Sequence, residues 1–299
     1  ASGPPAAAPR AHRESTSAAA FPMAASPASA PAAGTDGAVL HYFNGRGLAE
    51  QIRFMLAATG VEWADRHLVK REQFQELKAS GVLPWDQVPL LELDGERFTQ
   101  SMAAVRHLAR RAGLYGDGPS QAARCDIIAD GIRDALGAFS GVPFAPDRDA
   151  ALSAARDRMV GKYLPCLERM LRANDAVPAA VKEAAAALSA AEPSLAAVPP
   201  PVGASDGEAA GLPAAGSADA VFLVGGAVTF PDVTVTEVLC YIAELLPDVG
   251  ATAGKQWPLV VAHQRAMLAC GAMRKFFGSR HRHALGDAVY KAEVRAVLA

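Results

Sequence analysis

Tyr42, Pro89 and Ser101 are the residues with chemistry to offer in the first third of the chain. Tyr42 closes the apolar run Val39-Leu40-His41-Tyr42-Phe43 and stands just ahead of Asn44-Gly45-Arg46-Gly47, where a strand gives way to a turn. A phenol in that position can act on a thiol. An ordinary thiol has a pKa of about 8.5, so little of it is thiolate at neutral pH. A donated O–H favours the thiolate and lowers that pKa, each unit corresponding to about 1.4 kcal/mol. Tyrosine does this without becoming charged itself. The plain alternative is a core tyrosine whose hydroxyl reaches the rim.

Val88-Pro89 precedes the apolar run Leu90-Leu91-Glu92-Leu93. X-Pro bonds are the ones that adopt cis, and a cis bond here would open the Val88 backbone to pairing with an extended peptide. A trans proline opening a strand is the ordinary alternative. Gln100-Ser101 precedes a helical run to Arg111, with Ser101 read as its N-cap. Free amides and a hydroxyl at a helix start are where a carboxylate is held. Serine is also simply a good cap, so that signal stands open too.

These residues need a scaffold. After the strand at Val39–Phe43, a helix is expected from Ala49 to Ala58, a strand from Glu62 to Leu68 and a short helix from Glu72 to Lys78. Leu90–Leu93, the turn Asp94-Gly95 and Arg97–Thr99 read as a hairpin, followed by the helix to Arg111. The order βαβαββα, one parallel crossover and then a hairpin, is thioredoxin-like. Beyond Gly113 helical periodicity dominates, at Ala122–Leu136, Ala150–Asn174, Val233–Leu246 and Trp257–Cys270, predicting an all-α second domain over 116–299. An Ala/Pro/Gly-rich insertion at about 175–217 interrupts it; within it Ala179–Ala191 reads as a helix and the remainder as flexible. The first domain spans 38–115. Residues 1–37 are rich in Ala, Pro and Ser and cannot build a core, reading as a disordered tail or an organelle transit segment, with Met23 an alternative start.

Taken in order, these segments resemble a sigma-class-like glutathione transferase. The resemblance is carried by VLHYFNGRGLAE at Val39–Glu50, FQELK at Phe74–Lys78, QVPLLELDG at Gln87–Gly95 and QSMA at Gln100–Ala103. YLPCLERML at Tyr163–Leu171, and FLVG at Phe222–Gly225 with Thr229-Phe230-Pro231-Asp232, extend it into the helical region. The resemblance implies glutathione as co-substrate with no metal required. Tyr42 would stabilise its thiolate; Phe43, Phe74, Lys78, Gln87, Val88 and Pro89 would line the glycyl and cysteinyl parts. Gln100 and Ser101 would hold the γ-glutamyl group, and Asp134 would reach it across a homodimer interface. Thr229 and Asp232 would nucleate a buried helix, as capping-box logic also says. Two positions depart from the pattern: Leu48 where related chains carry Arg, with Arg46 or Arg53 as stand-ins, and Asp86 where Gly is usual. The electrophile would enter a pocket walled by Ile132, Phe139 and the C-terminal helices. A non-catalytic relative of the S-crystallin kind, a glutathione-dependent isomerase or peroxidase, or a module of a longer protein are the competing expectations.

The remaining features exclude more than they add. A net charge of −2 with no basic stripe argues against a nucleic-acid partner. No apolar run approaches the roughly 20 residues of a membrane-spanning helix. Cys125, Cys166, Cys240 and Cys270 show no metal or redox spacing and read as reduced, mostly core thiols, which fits a cytoplasmic location, or a plastid or mitochondrion should the tail be a transit segment. His281-Arg282-His283 reads as a solvated surface run, Asp126 and Asp130 as an acidic helix face, and His107, His263, Met267 and Met273 as structural.

Overall fold

Strand β1 (Ala38–Tyr42) is almost wholly buried because it is central on both edges and covered on both faces. Its partner β2 (Trp63–His67) runs parallel, with Ala38 opposite Trp63 and Tyr42 opposite His67. On the other side β3 (Leu90–Leu93) runs antiparallel, with Leu40 opposite Leu91, and β4 (Glu96–Thr99) completes the sheet in the order β2-β1-β3-β4. The β3–β4 turn works as its residues demand: Asp94 and Gly95 both take positive φ, at 51° and 80°. The computed structural model describes residues 37–188, 194–196, 212–213, 221–286 and 288–299.

Three helices clothe the sheet: α1 (Ala49–Ala58), α2 (Arg71–Ala79) and α3 (Ser101–Arg111). A thioredoxin-like α/β domain results, as the residue pattern predicts. One detail differs. Gln100, not Ser101, is the cap residue of α3, held at φ 65°, while Ser101 is the first helical residue and is buried. Helix α1 is buried on nearly every side because α3 flanks it within the domain and later helices pack on its other face.

The helical domain follows with α4 (Gly118–Ser140), α5 (Arg148–Arg158), α6 (Leu164–Ala173) and α7 (Ala179–Leu188). The single helix expected over Ala150–Asn174 is divided by a π turn at Met159–Tyr163, which precedes Pro165. Proline there lacks the N–H for an interior helical bond. Then come α8 (Phe230–Leu245), α9 (Pro247–Gln256), α10 (Pro258–Ala269), α11 (Gly271–Phe277) and α12 (Ala288–Leu298). The N-terminal tail at 1–36 and most of the 175–217 insertion lie outside the described residues. Part of the insertion is anchored rather than flexible: Leu195 donates its N–H to Gly250 O at 3.0 Å, and Gln264 exchanges two 2.8 Å bonds with the Ala196 backbone.

Helix α8 is the centre of this domain, apolar nearly all round and packed on α1, α4, α9 and α10. Its first turn is held by Asp232, whose carboxylate accepts the Thr229 N–H at 2.7 Å, the Thr229 hydroxyl at 2.8 Å and the Leu223 N–H at 2.8 Å. All are buried. Similarly Glu168 of α6 accepts the Leu259 and Val260 amides at the start of α10, at 2.9 and 3.1 Å. Removing such an acceptor strands buried donors, each at a cost of about 1–3 kcal/mol. Asp232→Ala is therefore expected to destabilise the fold by about 3 kcal/mol or more, and Thr229→Ala by only about 1–2 kcal/mol. Urea denaturation of the two variants measures both, and equal losses would refute the ranking.

Candidate functional site

Tyr42 ends β1 with its hydroxyl turned toward the loop 43–48. The Leu48 N–H donates to that hydroxyl oxygen at 3.2 Å. Because the oxygen accepts there, its own proton is left to point elsewhere. Burial pushes the phenol above its ordinary pKa, while the Leu48 amide and the Arg53 charge pull it down. The group is thus a neutral O–H donor at physiological pH. Phe43 packs beside it, ring centroids 5.0 Å apart.

Two glycines make this approach possible. Gly47 has φ 45°, and a side chain on it would put its first carbon 2.3 Å from the Tyr42 hydroxyl. Gly45 similarly leaves room for the ring of Tyr290, which α12 brings over the loop. Helix α12 also packs on α2, and burial pushes the Tyr290 hydroxyl up, with Tyr42 adding to the shift. The signal for α12 in the sequence is the helical spacing of Val294 and Val297, both buried.

Other expected residues gather in pairs. Phe74 is buried on α2, and the Lys78 ammonium lies 5.7 Å from its ring and 3.3 Å from the Asp86 carboxylate. Asp86, at φ 52°, therefore sits against a cation rather than alone beside the loop. Gln100 donates from its side-chain amide to Gln87 at 3.2 Å, and the Val88–Pro89 bond is cis. No side-chain hydrogen bond caps α3; its Ala103 and Ala104 amides bond the Gln100 carbonyl at 2.9 and 3.2 Å, and Ser101 is buried at its start. Asp134 stands apart, exposed on α4.

The missing cation at Leu48 is not replaced by direct contact. Arg46 turns away, bonding the Glu244 carboxylate at 2.8 Å and the His283 carbonyl at 2.7 Å. Arg53 is fully buried and donates to Gly45 O at 2.9 Å, Glu50 at 3.1 Å and Asp65 at 2.8 Å. Its charge reaches Tyr42 only through space. The run His281-Arg282-His283 is not a solvated face. His281 bonds Asp65 at 2.7 Å, and Arg282 joins Glu50 at 2.6 Å to Glu244 at 2.5 Å. The run reads as surface in sequence because the acidic partners of His281 and Arg282 lie more than thirty positions away. For Asp65 burial pushes the carboxyl up, but Arg53 and His281 outweigh it and leave it below the usual range. Asp126 and Asp130 likewise both pair with Arg106, at 2.6 and 2.5 Å.

A small cavity of about 50 Å³ opens beside this loop, lined by Arg46, Gly47, Leu48, Leu136, Ser140, Glu237 and Tyr241. Ile132 and Phe139 are buried in the core and do not line this cavity; Leu136 and Ser140 of the same helix do. Glu237 was missed. Its signal was present: Glu237 and Glu244 are two helical turns apart in an otherwise apolar run, on one face of α8.

Residues 38–110 match the glutathione S-transferase N-terminal domain. Glutathione S-transferase alpha-4 of Rattus norvegicus is 40% identical over 135 residues, which are 44% of this chain and 61% of that protein. Glutathione S-transferase A1 of Bos taurus is 36% identical over 137 residues, 45% and 62% of the two chains. This chain thus spans less than two thirds of the curated relatives it matches. Alpha-class names among them give the sigma-class-like subtype no support. The fold is shared with Na-GST-3 of Necator americanus, described as monomeric, at TM-score 0.58 and 23% identity over 84% of this chain and 100% of that one. It is also shared with a glutathione S-transferase of Ascaris lumbricoides, at TM-score 0.53 and 26% identity over 80% and 95%.

Gly47→Ala tests the close approach. Left-handed backbone costs a side chain about 1–2 kcal/mol, and the collision with the hydroxyl adds to it. Gly60→Ala, at φ 70° with nothing within 4 Å, bears the backbone cost alone. Thermal melting should therefore rank Gly47→Ala well below Gly60→Ala; indistinguishable melting temperatures would contradict the contact.

Proposed function

We propose that this chain binds glutathione along its N-terminal domain and transfers the thiolate to a small apolar electrophile. The observation that carries the reading is the Tyr42 hydroxyl: it accepts the Leu48 amide at 3.2 Å and keeps its own proton to donate. A thiolate placed before that O–H gains a charge-assisted hydrogen bond, which lowers the thiol pKa and keeps sulfur nucleophilic at neutral pH. The glycyl end would lie along Phe43, Phe74 and Lys78, the cysteinyl part against Gln87, Val88 and Pro89, and the γ-glutamyl carboxylate at the start of α3 near Gln100 and Ser101. Support for the last comes from a helix start with no side-chain cap. No described helix is long and apolar enough to cross a membrane.

The domain's family, and the names of the relatives, support glutathione as the ligand. Pairing in homodimers is part of the proposal. Trp85 is 70% exposed just before the Gln87–Pro89 loop and Ile127 is 66% exposed on α4, apolar surface that a second copy would cover. An exposed Asp134 on the same helix is then free to reach a partner's γ-glutamyl amine. Light scattering should give a dimer mass that Trp85→Ala shifts toward monomer; a native protein that is monomeric at micromolar concentration would remove this part.

Leu48 favours the second reading, a binding protein with little turnover, because it brings no positive charge to the thiolate. The two readings separate on Tyr42→Phe. A hydrogen bond to a charged group contributes about 1.5–3 kcal/mol, so conjugation of an aryl halide should fall about 10- to 100-fold while glutathione affinity, measured by calorimetry, stays within about threefold. Glutathione binding without turnover in the native protein would leave the ligand-binding reading. Absence of binding would remove both.

A further inference from the structure

The strap between the last two helices is fastened by charge and ring contacts. Residues 279–286 leave α11 and cross β2 before α12 begins. His281 bonds Asp65 at 2.7 Å and lies against the Trp63 ring, centroids 4.2 Å apart. Arg282 joins Glu50 to Glu244, and the His283 carbonyl accepts Arg46 Nε at 2.7 Å. The His283 ring meets the His67 ring of β2 edge to face, centroids 5.2 Å apart and planes at 88°. Its Nε2 is buried with no hydrogen-bond partner among the described residues. Past the strap α12 is held by little. Val294 and Val297 are its buried residues; it packs on α2, and its Tyr290 ring lies over Gly45. The helix thus spans from the Tyr42 loop to α2, which carries Phe74 and Lys78.

We propose that His67 and His283 form a proton-operated latch: with both rings neutral the strap is shut and α12 spans the groove, and protonation lifts both away. That the groove holds glutathione rests on the function proposed above; the latch itself does not.

Charges around the pair are already matched. Arg46, Arg53 and Arg282 bond the carboxylates of Glu50, Asp65 and Glu244. A proton on His283 adds positive charge facing Arg53, His67 and Arg46. Asp65 alone pulls the other way, and it is committed to Arg53 and His281. His67 faces Asp65, Arg53, the Phe43 backbone and Glu293 of α12. Burial, and Arg53 next, brings the His283 ring down to about 4, and burial outweighs Asp65 and Glu293 to hold His67 below its ordinary value. Opening the strap returns both rings to water and to about 6.5. The latch therefore contributes its full stability above about pH 6.5 and loses it as pH falls through that value toward about 4. Within that window each pH unit shifts the open-to-closed ratio by about tenfold for one ring.

Hydrogen exchange on the full chain reads opening segment by segment, as protection relative to an unstructured chain at the same pH. From about pH 7.5 to about pH 5, protection of α12 is expected to fall about tenfold or more while α8 keeps its own. In the double variant His67→Gln, His283→Gln, whose side chains cannot take the proton, α12 should be protected equally at both values. Constant protection in the native protein, the same fall in the variant, or an equal loss in α8 overturns the latch. Should the variant leave α12 unprotected even at the higher pH, proton NMR of the native imidazoles decides: a His283 ring that titrates at about 6.5 overturns the proposal, and one well below it upholds it. The groove is tested with S-methylglutathione, whose blocked thiol cannot ionise. Its dissociation from the native protein should be about tenfold faster at the lower pH and unchanged by pH in the variant. Equal native rates at both values overturn the closing of α12 over the groove. If S-methylglutathione binds at neither pH, the glutathione reading fails and the exchange comparison alone judges the latch.

Discussion

Burying Arg53 is the constraint on which the rest of this structure depends. A guanidinium with no solvent exposure needs acceptors, and losing one partner of such a pair costs about 3–5 kcal/mol; Arg53 meets three through Nε and Nη1, while its Nη2 has no partner among the described residues. Its acceptors come from three places: the Gly45 carbonyl in the loop after β1, Glu50 one turn earlier on α1, and Asp65 on β2. The loop is thereby pinned to the helix and strand beneath it. That pinning sets the Leu48 amide opposite the Tyr42 hydroxyl, so a buried charge on one side of the loop fixes a hydroxyl on the other.

The same requirement ties the two domains. Glu50 has a second oxygen to satisfy, and Arg282 supplies it; Arg282 then reaches Glu244 on α8, whose other oxygen takes Arg46 of the loop. The alternation Arg53–Glu50–Arg282–Glu244–Arg46 closes on the loop where it started. Charges alternate along it, so each desolvated group has an opposite neighbour, and the C-terminal segment is drawn over the sheet before α12 begins. Glu237 lies near this circuit without belonging to it. Burial, with Glu50 and Glu244 nearby, pushes its carboxyl up to about 8 against the pull of Arg282 and Arg46.

Local signals were most legible where a single residue type decides the conformation. Asp94-Gly95 announced its hairpin because both positions need positive φ, and Thr229 with Asp232 announced the start of α8 because a capping box satisfies its own amides. Ser101 misled for an instructive reason: its type suits a cap, but the backbone enters α3 one residue earlier, through Gln100 at φ 65°. For Ile132 and Phe139 apolar character cannot tell a pocket wall from a core, and both are buried in the core. The segment His281–His283 misled because hydrophilicity implies water only when no partner waits, and here Asp65, Glu50 and Glu244 do.

By itself the sequence determined the order of strands and helices in the first domain, the helical character of the second and the stretch from Tyr42 to Ser101 as the place where chemistry gathers. Those follow from spacing, turn residues and caps, which act over a few positions. Only the tertiary structure decided that the Tyr42 hydroxyl accepts the Leu48 amide, that Arg46 and Arg53 are committed to structural pairs, and that Glu237 is buried beside Glu50 and Glu244. Each of these depends on which groups lose water together. Desolvation and Coulomb energy are set by neighbours in space, and those neighbours come from segments as far apart as residues 50 and 282.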